Sequence, residues 1–339
     1  MAAVIATTVG LAPLGAAGAP AHLGSRGGAV PKSVLAKHNR CKRNAIDVPK
    51  CGVLWGIYLP PQPASTGWIA PYSKIEVPIG RRFDLVKNYS QWKAGVTFPT
   101  KAEASYANRR HQILEFAWAA VDYGTRAKIS YASIASGAWD KSVIRPEARA
   151  LKHFHHKVFI DFSAEFDGAS QTGHGTPAQY VAAYRHIHDV MKAAGVKNVI
   201  WAWVSTGDLE HASVIRASYP GPKYVNWVGY DPYNFAGCHN EGWRSPYETF
   251  SPFYKWTRHQ TGMRHKPLLL GEYASAIGPK VGAWYAHVAT ALHHLPRIKA
   301  LMQWSSATSS TCDFRLTDSA AALAGFGVSS NSRYVLGAG

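Results

Sequence analysis

Val158-Phe159-Ile160-Asp161-Phe162-Ser163-Ala164-Glu165-Phe166-Asp167-Gly168 is an apolar, β-branched and aromatic run that ends in carboxylates and a glycine. Such a run reads as a buried strand that delivers Glu165 to its C-terminal mouth. Pro267-Leu268-Leu269-Leu270-Gly271-Glu272-Tyr273 mirrors it, with Glu272 again where an apolar strand ends. Two carboxylates at the ends of two parallel strands are how a (β/α)8 barrel builds an acid/base pair.

Working outward, six further apolar runs fill the count. Gly52-Val53-Leu54-Trp55-Gly56-Ile57 predicts the first strand, and Phe83-Asp84-Leu85-Val86 a weak second one. Ile113-Leu114-Glu115-Phe116-Ala117-Trp118 predicts the third; its Glu115 lies inside the run and is expected to face the barrel interior or a neighbouring charge. Asn198 to Trp203, Tyr224 to Tyr230 and Lys299 to Trp304 predict the fifth, sixth and eighth strands. Helical stretches fall between most of them. Thr176-Pro177-Ala178-Gln179 supplies an N-cap, a proline at the first helical position and the glutamine of a capping box. Tyr180, Tyr184, Ile187 and Met191 then recur at helical spacing, and Gly195 closes the helix. Another helix is expected over about 141–153, followed by His153, His155 and His156, which read as a solvated helix end. Eight strands in βα alternation predict the α/β class, a single (β/α)8 TIM barrel over 51–335.

The 339 residues, 47% of them hydrophobic, are ample for one such core. The formal charge is +17, with no basic run interleaved with aromatics to mark a nucleic-acid groove. Contact with anionic cell-wall polymers suits that charge better. Residues 1–21 are rich in Ala, Gly, Val and Leu and read as a secretory signal lacking its basic start; 22–50 read as a basic linker or strap across the barrel. No later apolar run is long enough to span a membrane. The four cysteines predict two disulfides; of three pairings, sequence neighbours favour Cys41–Cys51 with Cys238–Cys312. None has metal-site spacing, and neither metal nor cofactor is expected. A monomer is expected.

Cleaving a glycosidic bond needs two carboxyl groups flanking the anomeric carbon, one protonated and one ionised. Glu165 and Glu272 suit that chemistry, and Tyr233 is placed to donate its hydroxyl to Glu272. The residue types alone leave open that each glutamate pairs with an arginine at the rim. Trp55, Trp203 and Asp231, on the first, fifth and sixth strands, are further candidates for sugar contact.

Several motifs stand in one order: Ile134-Ala135-Ser136-Gly137-Ala138-Trp139-Asp140; Tyr180 to Trp203; Tyr219-Pro220-Gly221 with Trp227-Val228-Gly229-Tyr230-Asp231-Pro232-Tyr233; and Leu270-Gly271-Glu272. Together they resemble glycoside hydrolase family 26, best known for β-mannanases among retaining (β/α)8 glycosidases, over residues 52–316. The resemblance implies Glu165 as acid/base, Glu272 as nucleophile, Tyr233 as the nucleophile's partner and Trp304 as the aromatic floor of the cleaved sugar's subsite. It implies a secreted retaining endo-β-glycanase with a polysaccharide substrate, foremost β-1,4-mannan, and next mixed-linkage β-glucan or β-1,3-xylan. A carbohydrate-binding barrel without catalysis is the alternative of another class. The chain departs from the family's R-x-x-H-E-M-N-G-x-W at the fourth strand: Asp161 stands for the arginine, Ala164 for the histidine, Phe166-Asp167 for Met-Asn, and the tryptophan is missing. Those departures bear on which sugar is accepted.

Overall fold

A computed structural model describes residues 41–61, 71–239, 241–308 and 312–336. The expected leader at 1–21, and the linker up to residue 40, lie outside them. Eight parallel strands form the barrel: β1 Leu54–Tyr58, β2 Leu85–Gln91, β3 Ile113–Ala119, β4 Val158–Phe162, β5 Val199–Ser205, β6 Trp227–Tyr230, β7 Leu268–Ser275 and β8 Ile298–Trp304. Each pairs with its neighbour in sequence, β1 pairs with β8, and the ring closes because β6 pairs directly with β7. The second strand is the one that differs most from expectation, running on through Lys87 and Tyr89 to Gln91. A two-residue strand, Tyr233–Asn234, pairs with Ala274 and Ser275 and prolongs the sheet above the barrel.

Alternation along each strand splits the core in two. Leu54, Leu85, Phe159, Ile200, Trp227, Leu269, Ala300 and Met302 point inward and pack on one another. Trp55, Val86, Phe116, Ile160, Trp201, Trp203 and Leu301 point outward and meet the helices. Glycine is required where the inward face is crowded: a Cβ on Gly56 would stand 2.3 Å from Met302 Sδ. Full burial of each aliphatic side chain contributes about 1.5–3 kcal/mol.

The helix Pro177–Ala193 shows how the shell is fixed. Thr176 and Gln179 make the reciprocal capping box, and Tyr180, Ala183, Tyr184, Ile187 and Met191 form the buried face. Its two tyrosines reach the strands: Tyr180 donates to the Phe162 carbonyl at the end of β4 at 3.0 Å, and Tyr184 to the Ala202 carbonyl in the middle of β5 at 2.9 Å. The expected helix near 141–153 begins as a wide π-turn over Asp140–Ile144 and continues as Arg145–Phe154. His153, His155 and His156 are exposed at its end.

Residues 41–51 form a disulfide-closed hairpin, Cys41 to Cys51, under the barrel. Ile46 and Val48 pack against the inward cluster, and Trp227 Nε1 donates to the Ile46 carbonyl at 2.8 Å. Asp47 is held by Lys157 at 2.8 Å. The chain just before β1 thus closes the N-terminal end of the barrel, leaving the C-terminal end for chemistry. The second disulfide, Cys238–Cys312, joins the loops after β6 and β8 at that end. No described helix is long and apolar enough to cross a membrane.

Candidate active site

Glu272 lies within β7 at the barrel mouth, on a strand whose pairing with β8 is interrupted between Leu270 and Tyr273. The peptide joining Gly271 to Glu272 is held by side chains on both sides. Lys87 Nζ donates to the Gly271 carbonyl at 3.1 Å, and the Glu272 N–H donates to Asp231 Oδ1 at 2.8 Å. That grip requires glycine at 271, because a Cβ there would stand 2.7 Å from both Asp231 Oδ1 and Val204 Cγ1. The carboxyl group receives a donor on each oxygen: Tyr89 on Oε1, and Tyr233 on Oε2 at 2.6 Å. Both phenols are held well above their ordinary pKa, first by burial and then by the charge of Glu272, so they remain donors.

Glu165 is placed differently. β4 ends at Phe162, and a tight turn follows in which Ser163 and Glu165 both adopt left-handed φ, 50° and 54°. This conformation costs a non-glycine residue about 1 kcal/mol or more and persists only where the surroundings enforce it. Here they do. Ser163 N–H donates to the Trp118 carbonyl, Glu165 N–H to the Val204 carbonyl, and Gly168 N–H to the Glu165 carbonyl at 2.7 Å. Gln171 Nε2 donates to the Ala164 carbonyl at 3.1 Å, and Ser163 Oγ donates to Gln171 Oε1. Asp167 ties the turn to the end of β5 by accepting both the N–H and the hydroxyl of Thr206. The Glu165 carboxyl is pushed up to about 8, first by burial, then by the negative charges of Glu272 and Asp167. Near neutrality the mouth therefore holds a protonated acid, Glu165, facing a glutamate served by two hydroxyls and an ammonium.

Below the pair lies a layer of charge inside the barrel. Lys87 Nζ stands 3.4 Å from Glu115 Oε1, 3.5 Å from Glu272 Oε1 and 3.7 Å from Asp161 Oδ2. Neither glutamate of the mouth pairs with an arginine among the described residues.

The candidate residues therefore divide. Glu165, Glu272, Tyr233 and Asp231 converge on the mouth. Trp304 ends β8 at the same place but is 1% exposed; its Nε1 donates to the Tyr89 hydroxyl at 3.1 Å, behind the hydroxyl that serves Glu272. Trp203 and Trp55 are not at the mouth. Both are fully buried on the outward face: Trp203 stacks on Phe166 and donates to the Ser218 carbonyl, and Trp55 packs against Tyr273 and Phe326. Parity forces this, since Trp203 lies between the inward-facing Ala202 and Val204. Sequence reading missed Lys87 and Tyr89. Leu85, Lys87 and Tyr89 share the inward face of β2 at period two, and that alternation was the available signal.

Comparison with known proteins bears on the same region. A family described as glycosyl hydrolase family 26 matches residues 167–257. That span holds Asp231 and Tyr233; it begins after Glu165 and ends before Glu272. A relative named Endoglucanase H, from Acetivibrio thermocellus, is 24% identical over 298 residues, 85% of this chain and 31% of that protein, so the chain spans under a third of the relative's length. Among solved structures, the fold is similar to a GH26 β-mannanase from Bacteroides ovatus, with TM-score 0.61 and 15% identity over 85% of this chain and 91% of that one. It is also similar to a modular endo-β-1,4-mannanase from Cellulomonas fimi, with TM-score 0.60 and 14% identity over 84% and 71% of the two chains. At such identities the likeness is one of fold.

Proposed function

We propose that the chain is a member of glycosyl hydrolase family 26, whose family model matches residues 167–257, and that it is a secreted, retaining endo-β-glycanase acting on β-1,4-mannan. The observation that carries this reading is the pair of glutamates at the mouth with opposed settings, Glu165 pushed up to about 8 and Glu272 served by Tyr89, Tyr233 and Lys87. In the first step Glu272 attacks the anomeric carbon while Glu165 gives its proton to the departing glycosidic oxygen. The carbon–oxygen bond breaks, and the glycosyl group is left as an ester of Glu272. In the second step Glu165, now ionised, takes a proton from water, which attacks the same carbon and releases Glu272. Two inversions give net retention. Tyr233 and Tyr89 hold the carboxylate in line, and Asp231 fixes its backbone. Trp304, buried behind the mouth, acts through the Tyr89 hydroxyl that it holds against Glu272 rather than as an open floor for the sugar. The apolar leader and the two disulfides support export, and the +17 charge supports contact with anionic wall polymers by a monomer.

A second reading, hydrolysis of mixed-linkage β-glucan, is favoured by two observations: the relative named Endoglucanase H, and Ala164 where the resemblance leads one to expect histidine. Reducing-end release from galactomannan, lichenan and β-1,3-xylan, measured side by side, tests both. Galactomannan is expected to be cleaved fastest, and Glu272→Ala is expected to abolish release from all three. Faster cleavage of lichenan transfers the assignment to β-glucan. Binding without release from any of them makes the protein a carbohydrate-binding barrel.

A further inference from the structure

Among the described residues, the charged layer below the mouth contains one cation, Lys87, and several carboxyl groups. Glu115 comes from β3, Asp161 from β4, Glu165 from the turn after β4, Asp231 from the end of β6 and Glu272 from β7. Tyr89 and Tyr233 are the titratable groups that donate to Glu272, and Tyr58, packed on Tyr89, also feels its charge. Lys87, Glu115 and Asp161 are fully buried. One ammonium balances one carboxylate, and each further ion in that interior would be uncompensated.

The hydrogen bonds show which carboxyl is matched. Glu272 has a hydroxyl donor on each oxygen and the ammonium 3.5 Å away, whereas Glu115 has a single donor, Lys87 Nζ, on Oε1 at 3.4 Å. Glu115 Oε2, both oxygens of Asp161 and Asp231 Oδ2 have no hydrogen-bond donor among the described residues. An ionised carboxylate with bare oxygens in a dry interior is far costlier than a neutral acid. Lys87 also grips the peptide of the nucleophile through the Gly271 carbonyl, a contact neither neighbouring acid has.

On these grounds, and resting on the assignment of Glu272 as nucleophile, we propose that Lys87 is a positioning residue that holds Glu272 in place as the anion, while Glu115 and Asp161 stand beside it as neutral acids. The division of charge keeps the ammonium from being shared. Burial pushes Glu115 and Asp161 above the usual carboxylate range, Asp161 well above it, in line with that division. The position of Asp161 is where the resemblance leads one to expect arginine; among the described residues the cation of this layer is Lys87, on β2 instead.

The test uses the full-length protein and three variants, Lys87→Met, Glu115→Gln and Asp161→Asn. Two readouts are taken: the pH profile of kcat/KM on the best glycan, and an infrared titration, without substrate, of the carboxylate band that Glu272→Gln removes. In Lys87→Met the acid limb and the infrared titration should both move up by about one to three pH units, the effect of losing an opposite charge within about 4–6 Å. The loss should fall on kcat rather than KM. Glu115→Gln and Asp161→Asn, which mimic neutral acids, should leave both readouts unmoved. An unshifted Lys87→Met overturns the proposal. So does a downward shift in Asp161→Asn or Glu115→Gln, which would reveal an ionised neighbour. If Lys87→Met does not fold, those two variants still decide. If wild-type protein cleaves nothing, or Glu272→Gln keeps full activity, the nucleophile assignment fails, and the infrared arm still reports on Lys87.

Discussion

The lower and upper halves of the barrel interior are built from opposite chemistry on the same strands. Leu54, Leu85, Phe159, Ile200, Trp227 and Leu269 fill the lower half with hydrocarbon, sealed beneath by Ile46 and Val48. Two positions further along, the inward places pass to Lys87 after Leu85, Asp161 after Phe159 and Gly271 after Leu269, with Tyr89 and Glu272 above. The lower half contributes stability through burial. The upper half takes ionisable groups out of water and leaves several of their oxygens without donors, an arrangement that lowers stability. The proposed hydrolysis, which needs one acid and one anion side by side at neutral pH, would account for its retention. The difference teaches that stability and reactivity are separated along the barrel axis by a single strand repeat.

The separation can be broken most severely at the mouth. Glu165→Ala is expected to lower kcat about 10²–10⁴-fold on glycans, least on aryl glycosides whose leaving group needs no proton. Added azide should restore turnover by forming a glycosyl azide, detected by mass spectrometry. Wild-type rates in this variant would remove Glu165 from the mechanism.

In the lower half the effect should be on stability alone. Phe159 is fully buried and meets Trp227 edge to face, with ring centroids 5.4 Å apart. Phe159→Ala should cost about 3–5 kcal/mol in denaturant unfolding. The pH limbs of kcat/KM should stay where they are; movement of either limb would show that the two halves are coupled.

A third prediction sharpens the cost of the upper half. Glu165 has its carboxyl raised from 4.5 to about 8 in the fold, so the stability it contributes is fully present below about 4.5 and is lost as pH rises towards 8. Glu165→Gln, neutral throughout, should therefore gain on wild type across that window, by about 2–4 kcal/mol at its upper end. A difference that does not change with pH would mean that Glu165 ionises in the fold as it does in water.

The smallest effect is expected at Ala164, which sits between the two left-handed residues of the turn. Ala164→His should change kcat/KM about threefold to tenfold, the worth of one hydrogen bond to a bound sugar, and should favour mannan over lichenan. An unchanged ranking of glycans would mean that this position does not set specificity.

Much of the frame was legible because apolar runs and helix caps are local signals. The strand ending before Glu165, the strand carrying Glu272 and the capping box at Thr176 needed no knowledge of partners. The disulfide pairing followed from the order of the cysteines. The rest depended on which face of a strand a residue occupies. Trp55 and Trp203 are on barrel strands yet face the helices, and only the inward positions of Gly56 and Val204 beside them tell this. β2 read as weak because its inward face carries Lys87 and Tyr89, and a lysine inside an apolar run looks like its end. The left-handed turn that presents Glu165 has no glycine at 163 or 165 to announce it; it is imposed by Trp118, Val204 and Gln171 from elsewhere in the chain.

Trapping the glycosyl intermediate tests the two-glutamate mouth most directly. The protein would be incubated with a 2-deoxy-2-fluoro glycoside of its preferred glycan bearing a good leaving group, then digested and sequenced by mass spectrometry. One sugar should be found per chain, esterified to Glu272, and none in Glu272→Gln. A protein that cleaves the glycan with inversion and carries no adduct, or carries it on a residue other than Glu272, would contradict the mechanism.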